Sequence, residues 1–220
     1  MSSPIQAVIW DLDGVILDSA DEHRRAWQRL AREEGIPMTD ADFWATFGKR
    51  NDDIFASLWG NLPPEKVKLL SDRKEMYFRE LIQESAVPLP GAIELMRELH
   101  TSRFVQALAS STPVENINLI ADVLGLKQYL SILVSGETVA KGKPAPDIFL
   151  KAASELHMEP TVCLVIEDAV AGVEAAHAAG MRCIAVAGNR DLPGLRKAEL
   201  MVKDLTEVDV ERIQQLGRHT

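Results

Sequence analysis

Residues 5–14 read IQAVIWDLDG, an apolar run that ends in a short acidic turn. The run Ile5–Trp10 is rich in apolar and β-branched side chains, and Asp11-Leu12-Asp13-Gly14 follows it directly. A continuous apolar run of this length is typical of a strand that is buried on both faces, as in a parallel sheet. We therefore predict such a strand here, with two carboxylates just beyond its carboxyl end.

Further apolar runs predict other strands of the same sheet. Four are strong and one is a weaker edge strand: Phe104–Ala109, Ile132–Val134, Thr161–Ile166, Arg182–Val186 and, at the edge, Leu200–Val202. Segments with helical periodicity lie between or after them: Ala92–His100, Val114–Leu124, Pro146–His157, Ala169–Ala179 and Glu207–Leu216. Strands that alternate with helices indicate βαβ units. The sequence thus predicts an α/β fold with a doubly wound parallel sheet, a Rossmann-like core.

One stretch interrupts this alternation. It contains four helical segments and no strand signal: Asp21–Glu34, Asp40–Phe47, Asp52–Trp59 and Glu65 to about Gln83. The stretch ends in Val87-Pro88-Leu89-Pro90-Gly91, where two prolines and a glycine cannot continue a helix. We therefore predict an inserted all-helical domain over residues 18–88, and a core domain formed by residues 1–17 and 89–220.

Composition excludes several classes of protein. Hydrophobic residues make up 46% and charged residues 26% of the chain, as in soluble globular proteins. The 24 Lys and Arg against 33 Asp and Glu give a formal net charge of −9, which argues against nucleic acid or a membrane surface as partner. The sequence shows neither a signal peptide nor a membrane span, so we expect a cytoplasmic protein. We expect it to be a monomer or a weak dimer. Cys163 and Cys183 lie in apolar runs and are expected to be buried, reduced thiols.

Polar side chains follow four of the predicted strands, where an open parallel sheet binds ligands. They are Asp11, Asp13, Ser110, Ser111, Thr112, Lys143, Glu167 and Asp168. Clustered carboxylates repel each other unless a hard cation neutralises them, and Mg²⁺ prefers oxygen ligands. Hydroxyls, a lysine and the N–H groups of a helix N-terminus suit the oxygens of a phosphoryl group. The pattern therefore predicts a site for Mg²⁺ and phosphate, in which one carboxylate attacks phosphorus and another transfers a proton.

Asp11-Leu12-Asp13-Gly14-Val15, Ser110, Lys143 and Glu167-Asp168 resemble, in this order, the four signature motifs of the haloacid dehalogenase superfamily. The resemblance covers essentially the whole chain, and the inserted domain is similar to the helical cap of the phosphatase and mutase members. It implies that Asp11 is the nucleophile and Asp13 the general acid and base. It also implies that Ser110, with Ser111 beside it, and Lys143 hold the phosphoryl oxygens.

The resemblance further implies a set of magnesium ligands. Asp11, the backbone carbonyl of Asp13, and Asp168 would contact the ion, with Glu167 near it through water. Each motif alone has a simpler interpretation: a turn for Asp-Leu-Asp-Gly, a helix N-cap for Ser110-Ser111-Thr112-Pro113, a solvated loop lysine for Lys143, and a helix cap for Glu167-Asp168. All four motifs at predicted strand ends favour the catalytic interpretation.

Five residues of the cap are candidates for substrate contact. Ser19 marks the start of the cap, where a hinge or helix-cap role competes with substrate binding. His23 lies four residues later and would face the core if the first cap helix closes over the site. Gly48, Lys49 and Arg50 predict a cap loop near the cleft, and the two cations there are either a solvated pair or a grip on substrate.

The cap sequence also separates two groups within the superfamily. The first cap helix around His23 resembles the β-phosphoglucomutase group. That group has a lysine before its cap glycine where this chain has Phe47, and a second lysine where this chain has Pro113. Gly48-Lys49-Arg50 is closer to the sugar-phosphate phosphatases.

We therefore expect a Mg²⁺-dependent phosphatase that acts on a small phosphorylated metabolite, a sugar or polyol phosphate, through an aspartyl-phosphate intermediate. A phosphomutase of the β-phosphoglucomutase type is the alternative enzyme. A protein that binds a phosphorylated metabolite without turnover is the alternative outside enzymes.

Overall fold

A single parallel sheet forms the centre of the structure, a computed structural model that describes residues 4–47, 49–190 and 192–217. Within these residues its strands are β1 (Ala7–Trp10), β2 (Val105–Ser110), β3 (Ile132–Ser135), β4 (Cys163–Glu167), β5 (Arg182–Val186) and β6 (Leu200–Val202). The strand order is β3-β2-β1-β4-β5-β6, and every neighbouring pair is parallel. The chain order reverses between β1 and β4, which is where open α/β sheets bind ligands.

Helices cover both faces of this sheet. The described residues contain α1 (Ala20–Glu34), α2 (Asp40–Thr46), α3 (Asn51–Leu58), α4 (Pro64–Ser85), α5 (Ala92–Thr101), α6 (Val114–Val123), α7 (Asp147–Glu155), α8 (Val170–Ala178) and α9 (Val210–Leu216). Side chains alternate along β1, so that Val8 and Trp10 join one buried cluster and Ala7 and Ile9 another. Helices α5, α6 and α9 pack in the first cluster, and α7 and α8 in the second. The predicted doubly wound α/β fold is confirmed.

Several predicted boundaries differ from the structure, and local chemistry explains each. Thr161 was expected in a strand, but Pro160–Val162 form a short 3₁₀ helix and β4 begins at Cys163. Proline lacks an N–H and has a fixed φ, which suits a helical start and not a strand ladder. The last helix begins at Val210, because the Asp209 side chain caps it by accepting the N–H of Arg212.

The inserted segment is helical, as predicted. Helices α1 to α4 fill it, and the described residues between Ser19 and Val87 include no strand. Helices α1 and α4 pack together around Trp27 and Phe78, which are almost completely buried. The rings of Trp27 and Phe55 pack edge to face, with their centroids 5.0 Å apart. These side chains belong to the same buried cluster as Val8 and Trp10 of β1, so the cap and one face of the sheet share an apolar core.

The two connections between cap and core run side by side. Leu17 and Pro88 form an isolated antiparallel bridge, and the N–H of Leu89 donates to the carbonyl of Ile16 at 2.7 Å. Both crossings therefore lie at one place, next to the loop that follows β1. The exact domain limits at residues 18 and 88 stay a prediction.

The two cysteines are separate, buried thiols. Cys163 begins β4 and Cys183 lies on β5, and burial raises the pKa of Cys163 to about 11. Both are free and buried, as predicted. Among the described residues, no helix combines the length and apolar character that crossing a bilayer requires.

Candidate active site

Three carboxylates meet at the switch point of the sheet. Asp11 follows β1, Glu167 ends β4, and Asp168 comes next. Strands β1 and β4 pair with Trp10 opposite Ile166, and the N–H of Asp11 donates to the Ile166 carbonyl at 2.9 Å. This register places one oxygen from each of the three carboxylates within 4.8 Å of the others, and all three residues are buried.

Lys143 joins two of these carboxylates. Its Nζ lies 2.5 Å from Oδ1 of Asp11 and 2.7 Å from Oε1 of Glu167, and its side chain is only 6% exposed. Burial alone lowers the pKa of Lys143, but the charges of Asp11 and Glu167 outweigh it and hold the pKa above its ordinary value. The lysine is therefore a buried cation, and the interpretation as a solvated loop lysine is wrong.

Glu167 is fixed at the N-terminus of α8. Its Oε2 accepts the N–H groups of Asp168 and Ala169, each at 2.7 Å. These donors precede the first turn of α8, where the helix dipole favours a negative charge. The N-cap residue of α8 is Ala169, and no side chain caps the helix, so the helix-cap interpretation of Glu167-Asp168 is wrong.

Gly172 leaves the space that this arrangement needs. A Cβ at Gly172 would overlap the carboxylate of Glu167 at the oxygen that Lys143 contacts. We expect Gly172→Ala to lower the free energy of unfolding by about 1–3 kcal/mol through overpacking and to lower catalytic activity. Urea denaturation checks the stability. Ala178→Ser, which adds one atom at an exposed site of the same helix, is the matched control, and equal stabilities for the two variants would contradict the prediction.

Two neighbouring residues hold Asp168. Nη2 of Arg190 donates to its Oδ2 at 2.7 Å and to its backbone carbonyl at 3.2 Å. Gly14 packs directly against the same Oδ2, and a Cβ there would overlap it. Gly14 also has φ +81°, a left-handed conformation that favours glycine. Position 14, in the first motif, therefore requires glycine for both a conformational and a steric reason.

The chemistry of this cluster fits a divalent cation. Burial raises the pKa of Asp11 well above its ordinary value, although Lys143 opposes the shift. Burial also raises the pKa of Asp168 to about 7, and the charge of Glu167 adds to the effect. With every group ionised, the formal charges of the site (four negative, two positive) sum to −2, counted over Asp11, Asp13, Glu167, Asp168, Lys143 and Arg190. The raised pKa values of Asp11 and Asp168 reflect the cost of this charge. A hard divalent ion with oxygen ligands balances this charge, and Asp11, Glu167 and Asp168 can hold it.

Asp13 faces a different set of groups. Its Oδ1 accepts a short hydrogen bond from the Ser19 hydroxyl, and its Oδ2 accepts the Thr112 hydroxyl at 2.7 Å. Nε2 of His23 lies 3.6 Å from Oδ1. Burial alone raises the pKa of Asp13, but His23 and the two hydroxyls lower it to about 2. In this arrangement Asp13 is an ionised carboxylate, bound to one group from the cap and one from the core.

The loop after β2 carries the predicted phosphate-binding serines. Ser110 is buried, and its Oγ accepts the N–H of Thr112 at 3.2 Å, while Ser111 between them is half-buried. Helix α6 begins later, at Val114, and its N-cap residue is Pro113 without a side-chain cap bond. The N-cap position therefore lies at the end of the stretch Ser110-Ser111-Thr112-Pro113, and none of its hydroxyls caps the helix. The serine hydroxyl and the loop lie at the same sheet edge as Asp11.

The structure brings some cap candidates to the site and leaves others away from it. Ser19 and His23 lie beside Asp13, as described above. Arg50 packs against Gly142, next to Lys143, and donates to Asp52 at 2.8 Å. Lys49 is exposed on the surface, and among the described side chains it makes no contact with Asp11, Asp13, Glu167 or Asp168. Gly48 lies outside the described residues.

Sequence analysis missed part of this site. It placed Thr112 at the correct sheet edge without a role, and it did not identify Arg190. Arg190 follows β5 and so meets the same strand-end criterion as the four motifs. A search of the residues after every strand would have found it.

A buried polar network in the cap had no sequence signal. Nζ of Lys74 lies 2.7 Å from Nδ1 of His23 and 2.9 Å from Oε1 of Glu75. Oε2 of Glu75 accepts the amide of Asn116, on core helix α6, at 2.5 Å. The His23 ring stacks on Phe78 at 3.9 Å. The network therefore extends from the neighbour of Asp13 to a contact between cap and core.

Comparison with known proteins agrees with the fold and the motifs. The family model of the haloacid dehalogenase-like hydrolases matches residues 5–180. This chain belongs to that family.

The named relatives of this hydrolase include phosphatases and a mutase. Validoxylamine A 7'-phosphate phosphatase of Streptomyces hygroscopicus subsp. limoneus is 32% identical over 92% of this chain and 95% of its own length. β-Phosphoglucomutase of Bacillus subtilis is 33% identical over 96% of this chain and 95% of its own length. The crystal structure of β-phosphoglucomutase from Clostridium difficile superposes with a TM-score of 0.87 at 28% identity, covering 97% of each chain.

Proposed function

We propose that this hydrolase is a Mg²⁺-dependent phosphatase of small phosphorylated metabolites, with sugar or polyol phosphates as the substrate class. The observation that carries the proposal is the buried Asp11 at the switch point. It contacts Lys143 and lies within 4.8 Å of the oxygens of Glu167 and Asp168. A carboxylate in this setting has a cation beside it to receive phosphoryl oxygens and a place for a metal ion. The names of the relatives support the same reaction class.

The proposed reaction has two steps at Asp11. The Asp11 carboxylate attacks phosphorus, the bond from phosphorus to the leaving oxygen breaks, and Asp13 gives that oxygen a proton. Water then attacks the phosphorus of the aspartyl phosphate, and Asp13 takes a proton from this water. The bond between Asp11 and phosphorus breaks, inorganic phosphate is released and Asp11 is regenerated. Lys143 and the Ser110 hydroxyl bind the phosphoryl oxygens in both steps. Mg²⁺, when bound, offsets the negative charge of the phosphoryl group and of Asp11.

Asp13 needs to change its contacts for this chemistry. The hydroxyls of Ser19 and Thr112 stabilise its ionised form, so its first use as an acid requires release from at least one of them and uptake of a proton from solvent. In later turnovers Asp13 carries the proton that it took from the attacking water. Ser19 lies next to the paired connections between cap and core. We propose that movement of the cap changes this contact, and that Ser19, His23 and Arg50 contribute to substrate binding.

The net charge of the chain bears on the kind of partner that we propose. The net charge of −9 argues against nucleic acid and membrane surfaces and agrees with a cytoplasmic enzyme acting on a small molecule. We propose a monomer or weak dimer, because core and cap pack around the site within one chain.

A phosphomutase is the second candidate, and the 33% identity to β-phosphoglucomutase favours it. A mutase returns the phosphoryl group from Asp11 to a sugar and excludes water while doing so. Phe47 and Pro113 stand where the mutase group has lysines. This chain therefore lacks, at these two positions, the lysines that would bind a second phosphate.

³¹P NMR separates these reactions. The protein is incubated with Mg²⁺, β-glucose 1-phosphate and a trace of the corresponding bisphosphate, and then with a panel of sugar and polyol phosphates. We expect inorganic phosphate from at least one substrate, and none when a chelator removes Mg²⁺. Accumulation of glucose 6-phosphate would identify a mutase instead. Binding of a phosphorylated ligand without any product would favour the non-enzyme alternative, and no release from the whole panel would refute the phosphatase.

A further inference from the structure

Arg190 lies in the loop after β5 and reaches the acidic cluster from outside the four motifs. Its Nη2 donates to Oδ2 of Asp168 at 2.7 Å and to the Asp168 carbonyl at 3.2 Å. One guanidinium nitrogen thus binds both the side chain and the backbone of the same residue. Such a pair of contacts fixes the direction of the carboxylate and the position of the chain that carries it.

Backbone packs against the same carboxylate oxygen. Gly14 packs so tightly against Asp168 that even a methyl group would overlap Oδ2. Asp168 is buried, with an exposed fraction of 4%. Gly14 and Arg190 therefore both meet Oδ2, and this oxygen is committed to the guanidinium.

The other two carboxylates of the cluster are held by different groups. Lys143 contacts Asp11 and Glu167, and backbone N–H groups hold the second oxygen of Glu167. Arg190 is the group that contacts Asp168 in the same way. Mg²⁺ requires near-ideal octahedral geometry and so depends on ligands that are held in place. Groups that orient a ligand contribute about 10–100-fold to metal affinity.

We propose that Arg190 is a positioning residue for the metal site, which orients Asp168 so that one oxygen is directed to Mg²⁺ while the other binds the guanidinium. The inference rests on the metal dependence in the proposed function. It assigns a role to a residue that none of the four motifs contains.

The test compares Mg²⁺ binding by three full-length variants. Arg190→Met removes both hydrogen bonds, and Arg190→Lys keeps the charge and one donor. Arg182→Met makes the same substitution at the opposite end of β5, where it does not meet the cluster. Isothermal titration calorimetry with Mg²⁺ alone gives Kd, and thermal unfolding with and without Mg²⁺ gives an independent measure of binding.

We expect Arg190→Met to raise the Kd for Mg²⁺ about 10–100-fold, Arg190→Lys to raise it less, and Arg182→Met to leave it unchanged. Saturating Mg²⁺ should restore much of the lost activity of Arg190→Met, because the defect is in metal binding. Should Arg190→Met not fold, Arg190→Gln replaces it, since the amide keeps one donor without the charge. An unchanged or lower Kd in the neutral variants overturns the role of Arg190. Absence of Mg²⁺ binding by the unsubstituted protein would instead overturn the metal dependence itself.

Discussion

Asp11→Asn is expected to lower turnover by about 10³-fold or more and to leave the fold intact, since removal of a catalytic nucleophile has effects of this size. The amide cannot attack phosphorus, so no phosphoryl group can be transferred to residue 11. The fold tolerates the change because burial already raises the pKa of Asp11 and thus disfavours its charge. Lys143 keeps its second partner, Glu167, at 2.7 Å.

The measurement is phosphate release from the best substrate of the panel, with circular dichroism and thermal unfolding to verify the fold. Asp13→Asn is the informative comparison. Acetyl phosphate has a leaving group that needs no proton, so Asp13→Asn should still be phosphorylated by it. The phosphoryl group should then stay on Asp11, because water lacks its general base. Mass spectrometry of the intact protein detects this adduct.

Normal turnover by Asp11→Asn would refute the assignment of the nucleophile. A phosphoryl adduct in Asp11→Asn would do the same, because the acceptor would then be another residue. Rapid hydrolysis of the adduct in Asp13→Asn would leave Asp11 in place and would contradict only the role of Asp13.

The core site could be predicted because two simple rules act together. Apolar runs such as Ile5–Trp10 mark buried strands, and parallel strands end at one edge of the sheet. The pairing of β1 with β4 then makes neighbours of Asp11 and Glu167, which are 156 positions apart in the sequence. Lys143 was identified by its motif. It lies too far beyond the preceding strand for the strand-end rule to predict its position.

Other contacts depend on three-dimensional packing that the sequence pattern does not encode. Gly172 looks like an ordinary helix position, and its closeness to Glu167 follows only from how α8 meets β4. Lys74 lies in a helix with many exposed charges, so its burial was not predictable from periodicity. The identity of its partner, His23, depends on the packing of α1 against α4. The site was predictable where strand ends decide it, and not where helix packing does.

The second large effect is expected in the cap. Lys74 is 1% exposed, and its Nζ contacts Glu75 at 2.9 Å and His23 at 2.7 Å. Lys74→Met leaves the Glu75 carboxylate buried without its cation, although Asn51 and Asn116 still donate to it. Breaking a buried ion pair in this way costs about 3–5 kcal/mol. We therefore expect urea denaturation to show a loss of this size in the free energy of unfolding.

Lys68→Met is the matched control, because Lys68 lies on the same helix and pairs with Asp72 at 2.7 Å while its side chain is 77% exposed. An exposed pair contributes about 0–1 kcal/mol, so equal losses from the two variants would contradict a special role of burial. Lys74→Met with Glu75→Gln should recover part of the loss, since no uncompensated charge then remains.

Burial raises the pKa of Glu75, but Lys74 and His23 outweigh it and lower the pKa below its ordinary 4.5. That stabilisation is present above pH 4.5 and is lost as the pH falls, so the difference between Lys74→Met and the unsubstituted protein should shrink in acid.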